Sequence, residues 1–253
     1  MLSNRFLSSV GGTQQRLILL ILNFRLPPVT FALWKHAQLR IVADGGANRL
    51  YDALSSPDGH QDNVLSQRDY VPDIIKGDLD SIRPDVLKYY SSHGTQVIDE
   101  SEDQDSTDLQ KCINCALALI ASRPEQLHGA SIFAAGAFGG RIDHVLSSLC
   151  TLHRHEGEQI ILCGDGNLVR LLPKGHSELK PDLAVEGPAC GLVAMGKPAI
   201  ASSMGLKWDL AETRLEVQGL QSTSNALCCD HITVDTDQPL LWMTEFRDPM
   251  GNS

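Results

Sequence analysis

The first two thirds of this 253-residue chain alternate short apolar runs with segments of helical periodicity. Continuous apolar runs of this length are typical of strands that are buried on both faces of a sheet. Because strands that alternate with helices are joined by crossover connections, the pattern predicts an α/β domain with a mainly parallel sheet. The predicted strands lie at Leu17–Leu22, Leu39–Ala43, Asp73–Ile75, Gln96–Ile98, Ser131–Ala135 and Gln159–Cys163.

Helical periodicity is clearest over residues 107–122, where apolar side chains recur at i, i+3, i+4 and i+7. We expect Asp105 or Ser106 to cap the start of this helix, because both residue types are favoured N-caps. Another helix is predicted to begin at Pro84, since proline is favoured at the first helical position. Apolar residues between positions 145 and 152 predict a third helix.

Beyond Pro173 the helical periodicity disappears, and glycine and proline recur between short segments rich in β-forming residues. Such spacing predicts a small antiparallel β-sandwich. The expected fold class is therefore α/β, with an N-terminal mainly parallel α/β sandwich domain over residues 17–172 and a β-sandwich domain over residues 173–253. The predicted strands of the second domain include Cys190–Ala194, Arg214–Val217, His231–Val234 and Leu240–Glu245.

Two polar stretches are expected to lie outside the regular structure. Residues 1–16 contain Arg5, Arg16 and several serines but no acidic residue. This composition fits a short disordered tail, which is our expectation, and it also fits a mitochondrial transit peptide. The turn-rich segment Ser55–Tyr70 predicts a long surface loop.

The formal net charge of −10 argues against a protein that binds nucleic acid or an anionic membrane through a basic surface. A phosphorylated substrate is compatible with this charge when divalent cations lie between carboxylates and phosphates. The longest apolar run near the start, Leu17–Leu22, is far shorter than the ~20 residues that a membrane span needs. Seven cysteines, an odd number without a dense framework, favour a reduced compartment, and we expect a cytoplasmic protein.

Acidic residues follow two of the predicted strands directly. Asp44 comes after Leu39–Ala43 and precedes two glycines, and Asp78 and Asp80 follow the next predicted strand. In an open α/β sheet, ligands bind beyond the carboxyl ends of the strands. Two carboxylates that point the same way along an extended chain repel each other unless a cation neutralises them, and magnesium prefers such oxygen ligands. A solvated acidic turn is the alternative interpretation of each block.

A third acidic block, residues 100–108, ends at the start of a predicted helix. Acidic runs are commonly solvated faces or reflect a bias toward helix starts. A helix N-terminus also offers backbone N–H groups to phosphate, however, and Asp105 and Asp108 are neighbours in the first turn. One of these two carboxylates is therefore placed to reach a metal ion while the other caps the helix.

The glycine-rich block 136–144 follows the predicted strand Ser131–Ala135 and leads into a helix, an arrangement that holds phosphate. It matches neither the Walker A nor the G-x-G-x-x-G pattern. Arg141 supplies a planar donor for phosphate, and Asp143 supplies a carboxylate for a hydroxyl or an amine. Each of the four blocks has an ordinary structural explanation by itself, but together they gather acidic and glycine-rich groups along one edge of one sheet.

Taken in order, six blocks of the sequence resemble the thiamine pyrophosphokinase family, over roughly residues 17–246. The patterns G-D-x-D-S-I and D-Q-D-x-T-D together are specific to it, and GLKWDL strengthens the match independently. The blocks are ADGGANRLYD (43–52), KGDLDSIRPDV (76–86), DQDSTD (103–108), GAFGGRIDH (136–144), GLKWDL (205–210) and STSN (222–225).

The resemblance implies an enzyme that transfers the pyrophosphoryl group of ATP to the hydroxyethyl oxygen of thiamine, giving thiamine diphosphate and AMP. It implies Mg²⁺ as the cofactor and ATP as the co-substrate. It also implies a homodimer whose active sites lie between the α/β domain of one subunit and the β domain of the other. The family's fold, an α/β domain followed by a β-sandwich, agrees with the hydrophobic pattern.

Motif by motif, the resemblance implies that the catalytic residues are Asp44, Asp78, Asp80, Asp108 and Asp143. The implied magnesium ligands are Asp78, Asp80 and Asp108. The implied nucleotide and thiamine contacts are Gln104, Asp105, Thr107, Arg141, Trp208, Ser222, Ser224 and Asn225. An aromatic face suits the thiazolium cation, so Trp208 is expected to contact thiamine, with an ordinary core tryptophan as the alternative. The hydroxyl proton is expected to pass to Asp44 or Asp143.

Two rival functions stay open at this point. Another nucleotide-dependent kinase or a phosphohydrolase would use the same aspartates but would release ADP or free phosphate. A thiamine-binding protein with a decayed site would bind thiamine without ATP turnover, although the intact aspartate blocks speak against it. Departures from the expected family pattern, a long Ser55–Tyr70 loop and an extra tail after Phe246, touch none of the motifs.

Overall fold

The computed structural model describes residues 2–7, 15–55 and 67–249 of the chain. The strands are β1 (Leu2–Ser3), β2 (Leu17–Ile21), β3 (Leu39–Ala43), β4 (Ile74–Gly77), β5 (Gln96–Asp99), β6 (Ser131–Ala135), β7 (Ile160–Gly164), β8 (Asn167–Leu172), β9 (Gly175–Lys180), β10 (Glu186–Val193), β11 (Ala199–Met204), β12 (Thr213–Leu215), β13 (Ser222–Ala226), β14 (Ile232–Thr236) and β15 (Leu240–Phe246). The helices are α1 (Val29–Trp34), α2 (Gly46–Ser55), α3 (Pro84–Ser92), α4 (Asp108–Ser122), α5 (Pro124–Leu127) and α6 (Ile142–Arg154).

Ten strands form one continuous sheet in the order β13-β10-β15-β8-β7-β6-β2-β3-β4-β5. Strands β2 to β7 pair in parallel, whereas β8, β15, β10 and β13 extend the sheet in antiparallel pairs. The chain proceeds outward from β2 to β5 and then crosses to β6 on the other side of β2. The carboxyl ends of β2 and β6 therefore form the topological switch point, where open α/β sheets bind their ligands.

Helices cover both faces of the parallel strands, because these strands are apolar on both faces. In β2, Leu17, Leu19 and Ile21 face the core that contains α1, α2 and α3. The alternate residues Ile18 and Leu20 face the second core, which contains α4, α5 and α6. The arrangement confirms the α/β sandwich predicted from the continuous apolar runs.

The remaining strands form a five-stranded sheet in the order β1-β9-β14-β11-β12. It packs on the antiparallel end of the large sheet through a third core, which includes Leu179 and Val234 from the small sheet and Leu192 and Leu240 from the large one. The strand-rich, antiparallel second part of the chain is thereby confirmed. The predicted boundary after Leu172 does not interrupt the large sheet, however, because β8 pairs with β7 on one side and with β15 on the other.

The N-terminal segment differs from the disordered tail expected over residues 1–16. β1 pairs in parallel with β9, and Phe6 and Leu7 are buried in the core beside α1, α2 and α3. The expectation is wrong for residues 2–7, because their apolar side chains complete a core that the rest of the chain leaves open. Residues 1 and 8–14 lie outside the described residues.

A buried polar network fixes this segment to the sheet. Asn4 Nδ2 donates to Glu186 Oε2 at 3.0 Å, and the Arg170 guanidinium donates to Asn4 Oδ1. Thr244 and the backbone N–H of Asp182 also donate to the Glu186 carboxylate. Burial raises the pKa of Glu186 and lowers the pKa of Arg170 to about 10. The segment therefore shields two charged groups from water.

The segment Ser55–Tyr70, expected to be a surface loop, lies partly outside the described residues, which resume at Gln67. Residues Gln67–Asp69 form a short 3-10 helix, and Tyr70 is buried against the rings of Phe31 and Trp34. In the described part of the chain, every helix is too short or too polar to cross a membrane.

Candidate active site

Four hydrogen bonds join the block after β3 to the block after β4. Both carboxylate oxygens of Asp44 accept from backbone N–H groups, from Ser81 at 2.9 Å and from Ile82 at 3.0 Å. Asn48, in the first turn of α2, donates to the Ser81 carbonyl at 2.8 Å and accepts from the Arg83 N–H at 3.0 Å. Residues that follow β3 thus fix the backbone turn that follows β4.

Three carboxylates converge at this turn. Ligand oxygens of Asp44, Asp78 and Asp80 all lie within 4.8 Å of one another, with Asp44 buried and Asp80 exposed. The spacing of Asp78 and Asp80 predicts an extended pair, but Leu79 between them has a left-handed φ of 62°. A left-handed leucine is strained, and the hydrogen bonds that the turn makes with Asp44 and Asn48 hold it in place. Three carboxylates as donors fit a hard divalent cation such as magnesium.

Asp108 approaches this cluster from the first turn of α4. Burial, followed by the charges of Asp44 and Asp78, raises the pKa of Asp108 to about 6. Burial also raises the pKa of Asp44, against backbone hydrogen bonds that lower it. Gly77 permits this close approach, because a Cβ there would lie 2.7 Å from Asp44 Cβ and 3.1 Å from Asp108 Oδ1. Carboxylates gathered this closely need a counter-charge to be ionised together.

The loop before α4 contains two local hydrogen-bonding devices. The Asp103 carboxylate accepts from the backbone N–H groups of Asp105 and Ser106, each at 3.1 Å. Thr107 caps α4 through a capping box, in which Thr107 and Gln110 each accept from the backbone N–H of the other. The expectation that Asp105 or Ser106 caps the helix is therefore wrong, because the cap is Thr107 and the helix begins at Asp108.

Glu100 anchors the start of the same loop at three points. Its N–H donates to the Gly77 carbonyl at 2.8 Å, and its carboxylate pairs with the buried ammonium of Lys76. Its carbonyl accepts from the Lys111 ammonium, also buried, at 3.3 Å. Gln104 donates to a carbonyl within the loop at 2.8 Å. These contacts fix the loop against the strand that leads into the acidic cluster.

The glycine-rich block lies at the switch point, between β6 and α6. Gly139 has a φ of 110° and approaches the ring of Phe24 so closely that a Cβ would lie 2.1 Å from a ring carbon. Arg141 and Asp143 form an exposed ion pair at the start of α6. Hydrogen bonds from Arg141 lower the pKa of Asp143. The block therefore presents its basic group and its carboxylate to solvent at the carboxyl edge of the sheet.

The loop after β2 was not predicted to belong to the site. Asn23 Nδ2 lies 2.2 Å from the position of a Cβ at Gly45, and Asn23 Oδ1 accepts from Arg49 Nε at 3.0 Å. Phe24 covers the glycine-rich block from the same loop. The loop carries neither an acidic nor a glycine-rich block. Its place at the site follows from the position of β2 in the sheet, and the sequence of one strand does not reveal that position.

The predicted thiamine contacts gather in the second part of the chain. Trp208 is 56 % exposed, which excludes an ordinary core tryptophan, and Lys207 Nζ lies 4.5 Å from its ring centroid. Asn225 is buried and bonds to both the backbone N–H and the carbonyl of Trp208. Ser222 is buried and accepts from Asn225, whereas Ser224 is exposed with a left-handed φ of 57°.

Within one chain, these residues lie far from the acidic cluster. β13, which carries Asn225, is the first strand of the ten-stranded sheet, and β3, which leads into Asp44, is the eighth. Neighbouring strands are separated by about 4.8 Å, so the two groups are roughly 30 Å apart along the sheet. One chain therefore presents two separate groups of predicted site residues, which are called half-sites below.

Comparison with known proteins identifies relatives for both parts of the chain. The sequence matches the family profile "Thiamin pyrophosphokinase, catalytic domain" over residues 31–163 and the profile "Thiamin pyrophosphokinase, vitamin B1 binding domain" over residues 176–241. It is 46 % identical over 238 residues to thiamine pyrophosphokinase 1 of Arabidopsis thaliana, an alignment that covers 93 % of this chain and 88 % of the relative.

Solved structures of similar architecture carry the same family name. The crystal structure of yeast thiamin pyrophosphokinase superimposes with a TM-score of 0.81 at 26 % identity, covering 98 % of this chain and 91 % of that chain. Thiamin pyrophosphokinase from Candida albicans superimposes with a TM-score of 0.79 at 27 % identity, covering 92 % of this chain and 90 % of that chain.

Proposed function

The chain belongs to the thiamine pyrophosphokinase family, and we propose that its active site lies at the carboxyl edge of the parallel strands. The enzyme transfers the pyrophosphoryl group of its co-substrate ATP to the hydroxyl of thiamine, which gives thiamine diphosphate and AMP. The observation that carries the proposed site is the convergence of Asp44, Asp78 and Asp80, whose ligand oxygens lie within 4.8 Å of one another.

Asp78, Asp80 and Asp108 are the proposed magnesium ligands, although the carboxylates whose oxygens lie within 4.8 Å of one another are those of Asp44, Asp78 and Asp80, with Asp108 beside them. Magnesium prefers oxygen ligands such as these carboxylates. A bound cation would also relieve the repulsion between their negative charges. Magnesium, when bound, neutralises charge on the phosphate oxygens. Asp44 also orients the other ligands, because it holds the turn through the Ser81 N–H at 2.9 Å.

The glycine-rich block and Arg141 are the proposed phosphate-binding groups on the other side of the switch point. Gln104 and Asp105 are further proposed nucleotide contacts, presented by the loop that Glu100 anchors. The hydroxyl of Thr107 is used in the cap of α4, so its proposed contribution is to hold Asp108 rather than to bind ATP.

Both carboxylates considered as general bases are already engaged in hydrogen bonds. Both oxygens of the buried Asp44 accept backbone hydrogen bonds, and hydrogen bonds from Arg141 lower the pKa of Asp143. A weak base is sufficient when the reaction depends mainly on positioning and on neutralisation of charge, as phosphoryl-type transfers do. The proposed reaction is attack by the thiamine hydroxyl on the β-phosphorus, with AMP as the leaving group.

The thiamine side of the site is proposed to be Trp208 with the residues of β13, Ser222, Ser224 and Asn225. An exposed indole attracts a cation through its ring face, and thiamine carries a cationic thiazolium. The ammonium of Lys207, 4.5 Å from the ring centroid, already uses this property.

A homodimer is proposed to complete the active site. The distance of roughly 30 Å along the sheet between the two half-sites of one chain favours a site built from the aspartates of one subunit and the Trp208 region of the other. Exposed apolar side chains near both half-sites fit a surface that a partner covers, and they are Ile142, Leu146, Met204, Val217 and Leu220. A cytoplasmic location is proposed as well, in keeping with seven free cysteines.

The experiment that tests this function follows the β-phosphorus. The enzyme is incubated with thiamine, magnesium and ATP that is labelled at the β-phosphate, and the products are separated. Label in thiamine diphosphate, together with equimolar AMP, is the expected result. Release of ADP would favour another kinase, release of free phosphate would favour a hydrolase, and thiamine binding without turnover would favour a binding protein.

A further inference from the structure

Asn225 differs from the other proposed thiamine contacts because its side chain is only 4 % exposed and is fully hydrogen-bonded. Its Nδ2 donates to the Trp208 carbonyl at 2.8 Å and to Ser222 Oγ at 3.1 Å. Its Oδ1 accepts from the Trp208 N–H at 3.2 Å and from the Ala226 N–H at 2.8 Å. A carboxamide has two donor hydrogens and two acceptor lone pairs, so Asn225 has no hydrogen bond left for a substrate.

Asp209 locks the same turn from its other end. Its carboxylate accepts from the N–H groups of Gly205 at 3.3 Å and Leu206 at 3.0 Å, and from Ser203 Oγ at 3.1 Å. Trp208 therefore lies in a turn that two polar side chains, the buried Asn225 and the exposed Asp209, hold through hydrogen bonds, while its indole stays exposed. A large exposed aromatic side chain is normally mobile. When the backbone that carries it is already fixed, the side chain loses less conformational entropy on binding a ligand.

We infer that Asn225 is a positioning residue for thiamine, which holds the backbone of Trp208 so that the indole forms a preorganised platform, and that Asn225 makes no hydrogen bond to the substrate. The inference rests on the proposed function, in which Trp208 contacts the thiazolium. All four hydrogen bonds of the Asn225 carboxamide are then made within the protein, and thiamine is recognised here by the face of the Trp208 indole.

The test is a double-mutant cycle in the full-length enzyme, with Trp208→Ala, Asn225→Ala and the double variant, measured as the KM for thiamine at saturating ATP. Each single substitution should raise this KM about tenfold or more, because misplacement of a binding group by about 1 Å is enough to do so. The double variant should match Trp208→Ala, since Asn225 acts through the indole, and the KM for ATP should not change.

Two outcomes of this cycle would overturn the inference for different reasons. Additive losses in the double variant would show that Asn225 contacts thiamine independently of Trp208, while the proposed function would stand. An unchanged KM for thiamine in Trp208→Ala would instead show that thiamine does not contact the indole. The proposed location of the thiamine site would then fail together with the inference.

Fluorescence reports the position of the indole directly in the substrate-free enzyme. Trp34 and Trp242 are each 3 % exposed, so acrylamide quenching reports mainly on Trp208. Asn225→Asp keeps both acceptor contacts but loses both donor contacts, and it serves as the second variant if Asn225→Ala does not fold. Both variants should increase quenching, whereas Thr223→Ala, an exposed neighbour on β13, should change neither quenching nor KM. A raised KM with unchanged quenching in the Asn225 variants would contradict a positioning role.

Discussion

The carboxylate of Asp44 lies at 0 % exposure between two backbone N–H groups, at 2.9 and 3.0 Å, and within reach of two other carboxylates. Its place after a strand predicted a carboxylate at the site, but not the hydrogen bonds to the turn after β4. Those bonds join residues that are 37 and 38 positions apart, and no local pattern reports contacts across such a separation. An asparagine there would keep one acceptor and turn an amide donor toward a backbone N–H.

Asp44→Asn should therefore lower both stability and activity. Leaving a buried N–H without an acceptor costs about 1–3 kcal/mol of the free energy of unfolding. Asp78→Asn is the matched control, because the half-buried Asp78 should lose activity while its free energy of unfolding is nearly unchanged. Urea denaturation and thiamine diphosphate formation measure the two properties. Equal stabilities of the two variants would contradict the structural task assigned to Asp44.

Asp108 is the residue at which pH should act on stability. Its pKa of about 6, against an ordinary 3.8, means that the folded protein holds this proton more tightly than the unfolded chain does. The charged carboxylate therefore destabilises the magnesium-free fold above about pH 6, and this penalty disappears as the pH falls through 6 toward 4. The loss of stability comes from burial of the Asp108 charge and its repulsion by Asp44 and Asp78, so a substitution that removes this charge should abolish it.

Asp108→Asn should accordingly stabilise the magnesium-free enzyme while abolishing its activity. At about pH 8 the gain in the free energy of unfolding should be on the order of 1 kcal/mol once solvent screening is allowed for, and near pH 4 it should be absent. Urea denaturation in a chelator at both pH values measures it. A gain of the same size at both pH values would show that the charge is not its cause.

At the scale of elements, the buried parallel strands were predictable and the exposed strands were not. β3 and β6 have the predicted bounds because continuous apolar runs leave no doubt about burial on both faces. β11 and β13 were missed, because their small and polar residues alternate between buried and exposed positions without a strong apolar signal. The cap of α4 was misplaced because Asp, Ser and Thr are all favoured N-caps, and it is the capping box with Gln110 that selects Thr107.

The ion pair of Lys76 and Glu100 should stabilise the element that carries the acidic loop. The Lys76 side chain is only 7 % exposed, so Glu100→Gln leaves a buried ammonium without its carboxylate and should cost about 2–3 kcal/mol. Adding Lys76→Met should recover most of this loss, because the uncompensated charge is then gone. Thermal or urea unfolding of the two variants measures the difference.

The exposed pair of Arg214 and Glu216 supplies a matched control for that measurement. Glu216→Gln removes the same kind of charge at the surface and should leave the unfolding transition almost unchanged. If Glu100→Gln were as mild as Glu216→Gln, the pair of Lys76 and Glu100 would not anchor the loop.

At the scale of the whole molecule, the strand order and the position of the N-terminal segment depend on pairings between distant segments, which the sequence did not predict. The order of the ten strands places β2 and β6 at the switch point and β13 at the far end, and strand order is not written in the pattern of any one strand. The expected tail shows the same limit. Residues 2–7 look unremarkable in sequence, yet they complete a core that includes residues more than a hundred positions away, such as Phe133.

Leu7→Ala should therefore destabilise the molecule as a core substitution does. Leu7 is 0 % exposed, and its truncation should lower the free energy of unfolding by about 2–4 kcal/mol. Arg16→Ala, also within the expected tail, removes one surface hydrogen bond to the His128 carbonyl and should have little effect. Unfolding of both variants by urea measures the contrast. A negligible effect of Leu7→Ala would mean that the N-terminal segment is not part of the core.

The magnesium dependence of pyrophosphoryl transfer in Asp78→Asn tests the proposed active site most directly. Asp78 supplies a carboxylate to the cluster and accepts a long hydrogen bond from the Asp80 N–H at 3.4 Å, which the oxygen of an asparagine can still accept, so the substitution should leave the fold intact. Formation of thiamine diphosphate and AMP should fall at least about 100-fold at every magnesium concentration that saturates the unaltered enzyme. Magnesium-dependent turnover equal to that of the unaltered enzyme would contradict the assignment of this edge of the sheet as the catalytic site.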